Sequence, residues 1–209
     1  MTAPLEHRPS SRALIGGGAA AVAVALGAAT QAHKTKRMDH AVRRAVKPKR
    51  SPRVVKVAKA VSYLGSPKIH PWVALALSVG LSLAKRRLCV APLIASASAT
   101  AIDKSARFVV DQRRPPKATK RKGRERFAFP SGHTSATTAI AVTTAMELAE
   151  DRPASESALL FAVAGATAAA VGWSRLQLDE HWFDDVAGGW AAGIAIAVGA
   201  TALADTQRA

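Results

Sequence analysis

Charged side chains are confined to the seams of this sequence. Residues 13–32, 69–84, 88–102, 133–145, 157–174 and 186–204 contain no Asp, Glu, Lys or Arg. A helix on the surface of a soluble domain would return a polar residue every third or fourth position to keep one face wet. Here the uncharged runs last 13 to 20 residues, approaching or reaching the roughly 20 needed to cross the hydrocarbon layer of a membrane. The pattern predicts spans over residues 13–32, 69–84, 87–106, 133–149, 157–174 and 184–204. The expected fold is therefore all-α, a polytopic membrane bundle of about six transmembrane helices. Arg8 and Arg12 stand before the first run, and small residues end it. That arrangement also fits a signal peptide, although the run is long for one and its cleavage site is poor. Pro71 and Trp72 suit a second helix that enters at the membrane interface.

Between the first two runs lies a basic stretch, residues 34–68. In its second half Arg53, Lys56 and Lys59 alternate with Val54, Val55, Val57 and Ala60 at nearly helical spacing. This predicts an additional interfacial helix lying on anionic headgroups. A second basic region, 113–126, is rich in Lys, Arg and Pro and reads as a loop that orders on demand. The chain divides into residues 1–68, a first span plus the interfacial segment, residues 69–204, a helical core, and a short tail at 205–209. It is one structural domain by length. Gly189 and Gly193, four apart in the last run, allow helix backbones to approach closely. Packing within the chain is the preferred reading of that spacing, and a homo-oligomer contact is the other.

Composition adds a formal charge of +16 and a pI near 11.1. Such an excess points to nucleic acid or to an anionic membrane surface. Clustering of the charge between apolar runs selects the membrane, and the basic segments carry no aromatic stacking platform, so no nucleic-acid partner is expected. Cys89 is the only cysteine. It can form no disulfide within the chain and reads as a small buried side chain.

Three short strings sit at the ends of the apolar runs. In Pro130-Ser131-Gly132-His133 a loop ends, Ser131 is placed to cap a helix, and Gly132 lets an anion approach the backbone N–H groups there. Further on, Ser174-Arg175 is followed by His181 and then Asp185. Their i,i+4 spacing puts His181 and Asp185 on one helix face. A carboxylate on one imidazole nitrogen leaves the other as a nucleophile or base of fixed tautomer, and Arg175 offers a bidentate clamp for phosphate oxygens. The plainer alternative is an interfacial salt-bridge cluster with Asp179, Glu180 and Asp184. Upstream, Arg107 and Arg114-Pro115 are seven apart, which places both arginines on one helical face if the third helix runs that far. Alone, Arg107 is better read as a paired charge in a ladder with Asp103 and Asp111.

Taken together, the three strings resemble the type 2 phosphatidic acid phosphatase (PAP2) superfamily, which also contains the vanadium haloperoxidases. The family pattern is Lys, six residues, Arg-Pro; then Pro-Ser-Gly-His; then Ser-Arg, five residues, His, three residues, Asp. The second and third elements match completely, and in the first Arg107 replaces the usual Lys. The likeness spans about residues 70 to 204. It implies a six-helix membrane fold with all three motifs at one membrane face, and a metal-free, cofactor-free lipid phosphatase in which cationic side chains take a metal's role. By this resemblance His181 attacks phosphorus, Asp185 orients its imidazole, and His133 protonates the leaving group and then activates water. Arg107, Arg114, Arg175 and the backbone around Ser131 and Gly132 would hold the phosphate oxygens. The substrate would be an amphiphilic phosphate: a polyprenyl diphosphate, a phosphorylated polyprenyl-phosphosugar, phosphatidylglycerol phosphate or phosphatidic acid.

Of the 30 Lys and Arg, 23 fall in residues 33–68, 103–132 and 175–183, the loops expected on the side that bears the motifs. The positive-inside rule then puts the site on the cytoplasmic side of a membrane, and the Ala- and Arg-rich composition suggests a bacterial plasma membrane. The resemblance also admits the reverse orientation, since many relatives that recycle lipid carriers act on the outer face. A rival reading is a catalytically inactive membrane protein that binds anionic lipids or scaffolds a lipid or cell-wall synthesis complex. Arg107 and the basic segments motivate it, while the intact His133, His181 and Asp185 oppose it.

Overall fold

Small side chains decide how closely these helices pack. A computed structural model describes residues 11–46, 51–106, 108–116 and 127–206. Among the described residues there are eight helices and no strand: α1 (Ser11–Gln31), α2 (Lys36–Val46), α3 (Pro52–Leu64), α4 (His70–Lys85), α5 (Ala91–Ala106), α6 (Gly132–Ala149), α7 (Ala154–Gln177) and α8 (Phe183–Thr206). The all-α expectation therefore holds. By length and composition α1, α7 and α8 are long and apolar enough to cross a membrane, while α4 and α5 have 16 residues and α6 has 18.

Helix α8 is central, packed along α1, α5 and α6. Gly189 and Gly193 face α6: a Cβ on Gly193 would lie 2.5 Å from Thr138 Cβ, and one on Gly189 would lie 2.9 Å from Thr134 Cβ. The close-approach spacing seen in the sequence is thus used within the chain. The core between α5, α6 and α8 is built from Ala95, Ala99, Ala136, Ala139, Ile196 and Ala200. Large apolar side chains such as Val24, Leu83, Leu159, Val163 and Leu203 point outward. That inversion suits lipid, where association rests on close backbone packing rather than on hiding hydrocarbon from water. Two hydroxyls buried along α6 are satisfied locally, Thr138 and Thr143 donating to the carbonyls four residues back at 2.8 and 2.7 Å.

Helices α2 and α3 form the basic interfacial layer. Ser51 caps α3, its Oγ accepting from the Val54 N–H at 3.3 Å. Arg43 of α2 pairs with Asp179 through two hydrogen bonds of 2.9 and 3.0 Å, and α3 packs on α7.

The third span begins later than its sequence reading and ends where that reading put it. Helix α4 stops where Arg86 adopts φ 51°, residues 88–90 are extended, and α5 starts only at Ala91. It ends at Ala106, so it does not reach Pro115. Backbone groups beyond it are satisfied by other elements: the Asp111 N–H donates to Gln31 Oε1 at 3.0 Å, and the Gln112 carbonyl accepts from the Ala128 N–H at 3.1 Å. Arg114 therefore arrives on a segment without regular structure rather than on a helix. Arg107 lies outside the described residues, as do residues 117–126 of the basic loop.

Candidate active site

The ends of α1, α4, α5, α6, α7 and α8 that carry Thr30, His70, Asp103, His133, Arg175 and Asp185 meet at one end of the bundle. The opposite end holds a separate ionic cluster, with Lys85 2.6 Å from Glu150 and Arg87 3.5 Å from the buried Glu147. Between the first set of ends lies a cavity of about 390 Å³, lined among others by Arg114, Gly132, His133, Arg175 and His181. Residues far apart in the chain are thus gathered around one space large enough for a phosphate and part of its alcohol.

His181 is buried, and its two nitrogens have different partners. Nδ1 lies 3.2 Å from Asp185 Oδ2, and Nε2 lies 2.9 Å from Arg114 Nη1. Arg114 can only donate, so Nε2 carries a lone pair and Nδ1 carries the proton, donated to Asp185. Burial, then the guanidinium groups of Arg114 and Arg175 and the nearby His133, push the His181 pKa well below the ordinary 6.5. The imidazole is therefore neutral at neutral pH, in the tautomer a nucleophile needs. Asp185 Oδ2 also accepts from the Trp182 N–H at 2.8 Å, which fixes the carboxylate against the ring.

The arginines are held from behind. Arg114 Nη1 also donates to the Glu180 carbonyl at 2.9 Å. Arg175, 4% exposed, donates from Nη1 to Ser62 Oγ of α3 at 2.6 Å. Gly65, just past α3, sits where a Cβ would be 2.8 Å from the His133 carbonyl oxygen. The interfacial helix thus supports Arg175 and abuts the loop-to-helix turn at His133.

Ser131 departs from its expected role. It stands at the N-cap of α6 but makes no side-chain cap hydrogen bond. Its Oγ instead accepts from Thr134 Oγ1 at 2.9 Å, and its N–H donates to the Asp185 carbonyl at 2.9 Å. Gly132 lines the cavity, and Ser131 lies behind it, tying α6 to α8. The salt-bridge cluster considered as an alternative is dispersed: Asp179 belongs to Arg43, Glu180 lies 3.8 Å from Arg175, and Asp184 is taken up by Thr30 and Thr35.

Several residues of the site were not singled out from sequence. His70, Asp103 and Lys104 line the cavity, and His70 Nδ1 is 3.0 Å from Ser96 Oγ. Asp39 of α2 is buried, its Oδ1 accepting the Asp184 N–H at 3.0 Å. One signal was available for it, since Asp39 is the only acidic residue between 33 and 68. Burial and the neighbouring Asp184 raise its pKa from 3.8 to about 6. The folded chain then holds a proton on Asp39 that the unfolded chain has released. Its contribution to stability is full below pH 3.8 and is lost as pH rises through about 6. Asp39→Asn, which keeps an acceptor and a fixed donor, is expected to stabilise the protein at pH 8 by on the order of 1–3 kcal/mol and by about half as much at pH 5. Thermal unfolding in detergent at the two pH values checks this, and equal shifts at both would refute it.

Comparison with known proteins places this geometry. The sequence profile of the PAP2 superfamily matches residues 87–209. The fold is similar to that of the transmembrane PAP2-type phosphatidylglycerolphosphate phosphatase of Bacillus subtilis, with a TM-score of 0.80 and 21% identity, over 91% of this chain and 96% of that one. It is also similar to Aquifex aeolicus LpxE, with a TM-score of 0.56 and 23% identity, over 77% of this chain and 92% of that one. No curated protein matches the sequence.

Proposed function

The chain belongs to the PAP2 superfamily, and from that premise we propose that it is an integral-membrane lipid phosphatase working through a phosphohistidine on His181. The observation that carries this reading is the lone pair of His181 Nε2, with Arg114 on that nitrogen and Asp185 on the other. When a phosphate monoester enters, Arg114 transfers its hydrogen bond from Nε2 to a phosphate oxygen. Nε2 then attacks phosphorus in line with the ester oxygen. The N–P bond forms as the P–O bond breaks, His133 gives its proton to the departing alkoxide, and Asp185 balances the charge on the imidazole. Water, deprotonated by His133, attacks phosphorus in turn and returns His181 with inorganic phosphate. Arg114, Arg175 and the backbone at Gly132 face the oxygens on which charge accumulates.

These fixed cations supply the positive charge that a divalent metal would otherwise bring, which supports a metal-independent reaction. The outward apolar faces and the six helices that end around the cavity support six membrane crossings. A phosphate on an amphiphile then sits at the headgroup level with its tail in lipid. The PAP2-type relative acts, by its name, on phosphatidylglycerolphosphate, and that lipid is one member of the substrate class expected here. Purified protein in detergent with excess chelator should release phosphate from at least one lipid among phosphatidylglycerol phosphate, phosphatidic acid, polyprenyl diphosphate and a phosphorylated polyprenyl-phosphosugar. Folded protein silent on all four would reject the phosphatase reading in favour of a lipid-binding or scaffolding role.

Segregation of the basic residues supports a cytoplasmic-facing cavity, with the cationic surfaces of α2 and α3 lying on anionic lipid. A cysteine introduced at the exposed Lys59 should resist a membrane-impermeant maleimide in intact cells and react after lysis. Labelling in intact cells would place the site outside.

A further inference from the structure

A connected set of hydrogen bonds lies behind the His181–Asp185 pair, away from the cavity. Asp184 is fully buried. Its Oδ2 accepts from Thr30 Oγ1, at the end of α1, and from Thr35 Oγ1, in the α1–α2 turn, both at 2.7 Å. Its Oδ1 accepts from Gln112 Nε2 at 2.9 Å and from the Asp185 N–H at 2.7 Å. Its own N–H goes to Asp39 Oδ1 of α2. The Gln112 amide nitrogen is also 3.0 Å from Asp185 Oδ1, so one NH₂ group bridges the two carboxylates.

This arrangement has a direct consequence for Asp185. One of its oxygens is occupied by the His181 imidazole and the Trp182 N–H, and the other by Gln112. The carboxylate can neither rotate nor exchange oxygens without breaking one of these hydrogen bonds. The donors onto Asp184 named above are neutral groups at fixed positions on three separate segments. Gln112 donates to both of these adjacent carboxylates and so ties the position of one to the other.

We propose that Asp184 is a positioning residue for the His181–Asp185 pair, acting through Gln112, and that Thr30 and Thr35 make this positioning depend on the seating of the α1–α2 elbow. The catalytic meaning of the proposal rests on the phosphohistidine reading above; its structural content, control of the His181 tautomer, does not. Asp184 touches no substrate. Its effect reaches chemistry through the orientation of one carboxylate and therefore the tautomer of one imidazole.

The test uses full-length protein in detergent, labelled with ¹⁵N-histidine, in wild-type form and as Gln112→Leu, Thr35→Val, Thr35→Ser and Asp184→Asn. His181→Ala identifies the His181 resonances. Two quantities are read: the ¹⁵N imidazole signature of His181 without substrate, and kcat and KM for phosphate release. In Gln112→Leu and Thr35→Val the His181 signals are expected to leave the pure Nδ1–H pattern. kcat should fall about tenfold in Gln112→Leu, or about 1.4 kcal/mol, with KM changed less than about twofold. Thr35→Ser, which keeps the donor, should restore both quantities. An unchanged tautomer signature in folded Gln112→Leu and Thr35→Val overturns the proposal, as does a rise in KM without a fall in kcat. Should Asp184→Asn fail to fold, the two milder variants decide. If wild-type protein releases no phosphate while the tautomer still shifts in the variants, the phosphatase reading fails and the positioning role stands.

Discussion

His181→Ala protein should release phosphate at least about a thousandfold more slowly than wild type, a loss of about 4 kcal/mol of transition-state stabilisation. The variant removes the nitrogen that attacks phosphorus in the proposed mechanism, with its lone pair held toward the cavity by Arg114 and Asp185. Nothing adjacent replaces it: Arg114 and Arg175 are cations, and Asp185 is turned away behind the ring. The fold should persist, because the small side chains that pack α8 against α6 are untouched. Steady-state phosphate release checks the rate, and acid-labile ³²P incorporation from labelled substrate checks the intermediate. Alanine protein that retained both would remove His181 from the reaction path.

Arg114→Gln is expected to act in two ways that can be separated. Loss of a phosphate-facing guanidinium should lower kcat/KM by about a hundredfold to a thousandfold, in the range seen when one preorganised donor is removed. Removing its charge should also let the His181 pKa rise from its depressed value towards 6.5. Activity requires the neutral imidazole, so a lower nucleophile pKa extends activity to more acid pH. In wild type the acid limb of kcat/KM should therefore fall well below 6.5, and in Arg114→Gln it should move to higher pH. A limb that stays in place, or moves to lower pH, would show that Arg114 does not set the state of His181.

How much of this was legible beforehand depends on the kind of residue. The motif strings located His133, Arg175, His181 and Asp185 because each chemical role needs a particular side chain at a particular helix end. The i,i+4 spacing gave the His181–Asp185 contact directly, and the charge-free runs gave most of the helix positions. Where a segment without regular structure rather than a helix carries a residue, local periodicity misleads. The seven-residue spacing puts Arg114 on a helical face only if the third helix runs that far, and instead Gln31 and Ala128 take up backbone groups that such a helix would have paired internally. Ser131 illustrates a different limit, for its sequence position marks a cap while its hydroxyl is committed to Thr134. Gln112, Thr30, Thr35 and Ser62 carry no local signal, being ordinary polar residues whose meaning comes from partners 72 to 154 positions away. Asp39 was the exception, an isolated acid in a basic stretch, unexplained until its burial was seen.

The bond between Ser62 and Arg175 bears on what can be cut from this chain. A gene fragment beginning where the superfamily profile begins, at residue 87, would encode every motif and discard the amphipathic helix on which Arg175 is braced. It would also lose Thr30, Thr35 and Asp39. Such a minimal version would retain the recognisable signature and not the instrument. Chimeras that graft these motifs onto another amino-terminal half would need a matching surface helix, with a hydroxyl at the place of Ser62, before Arg175 could be set again.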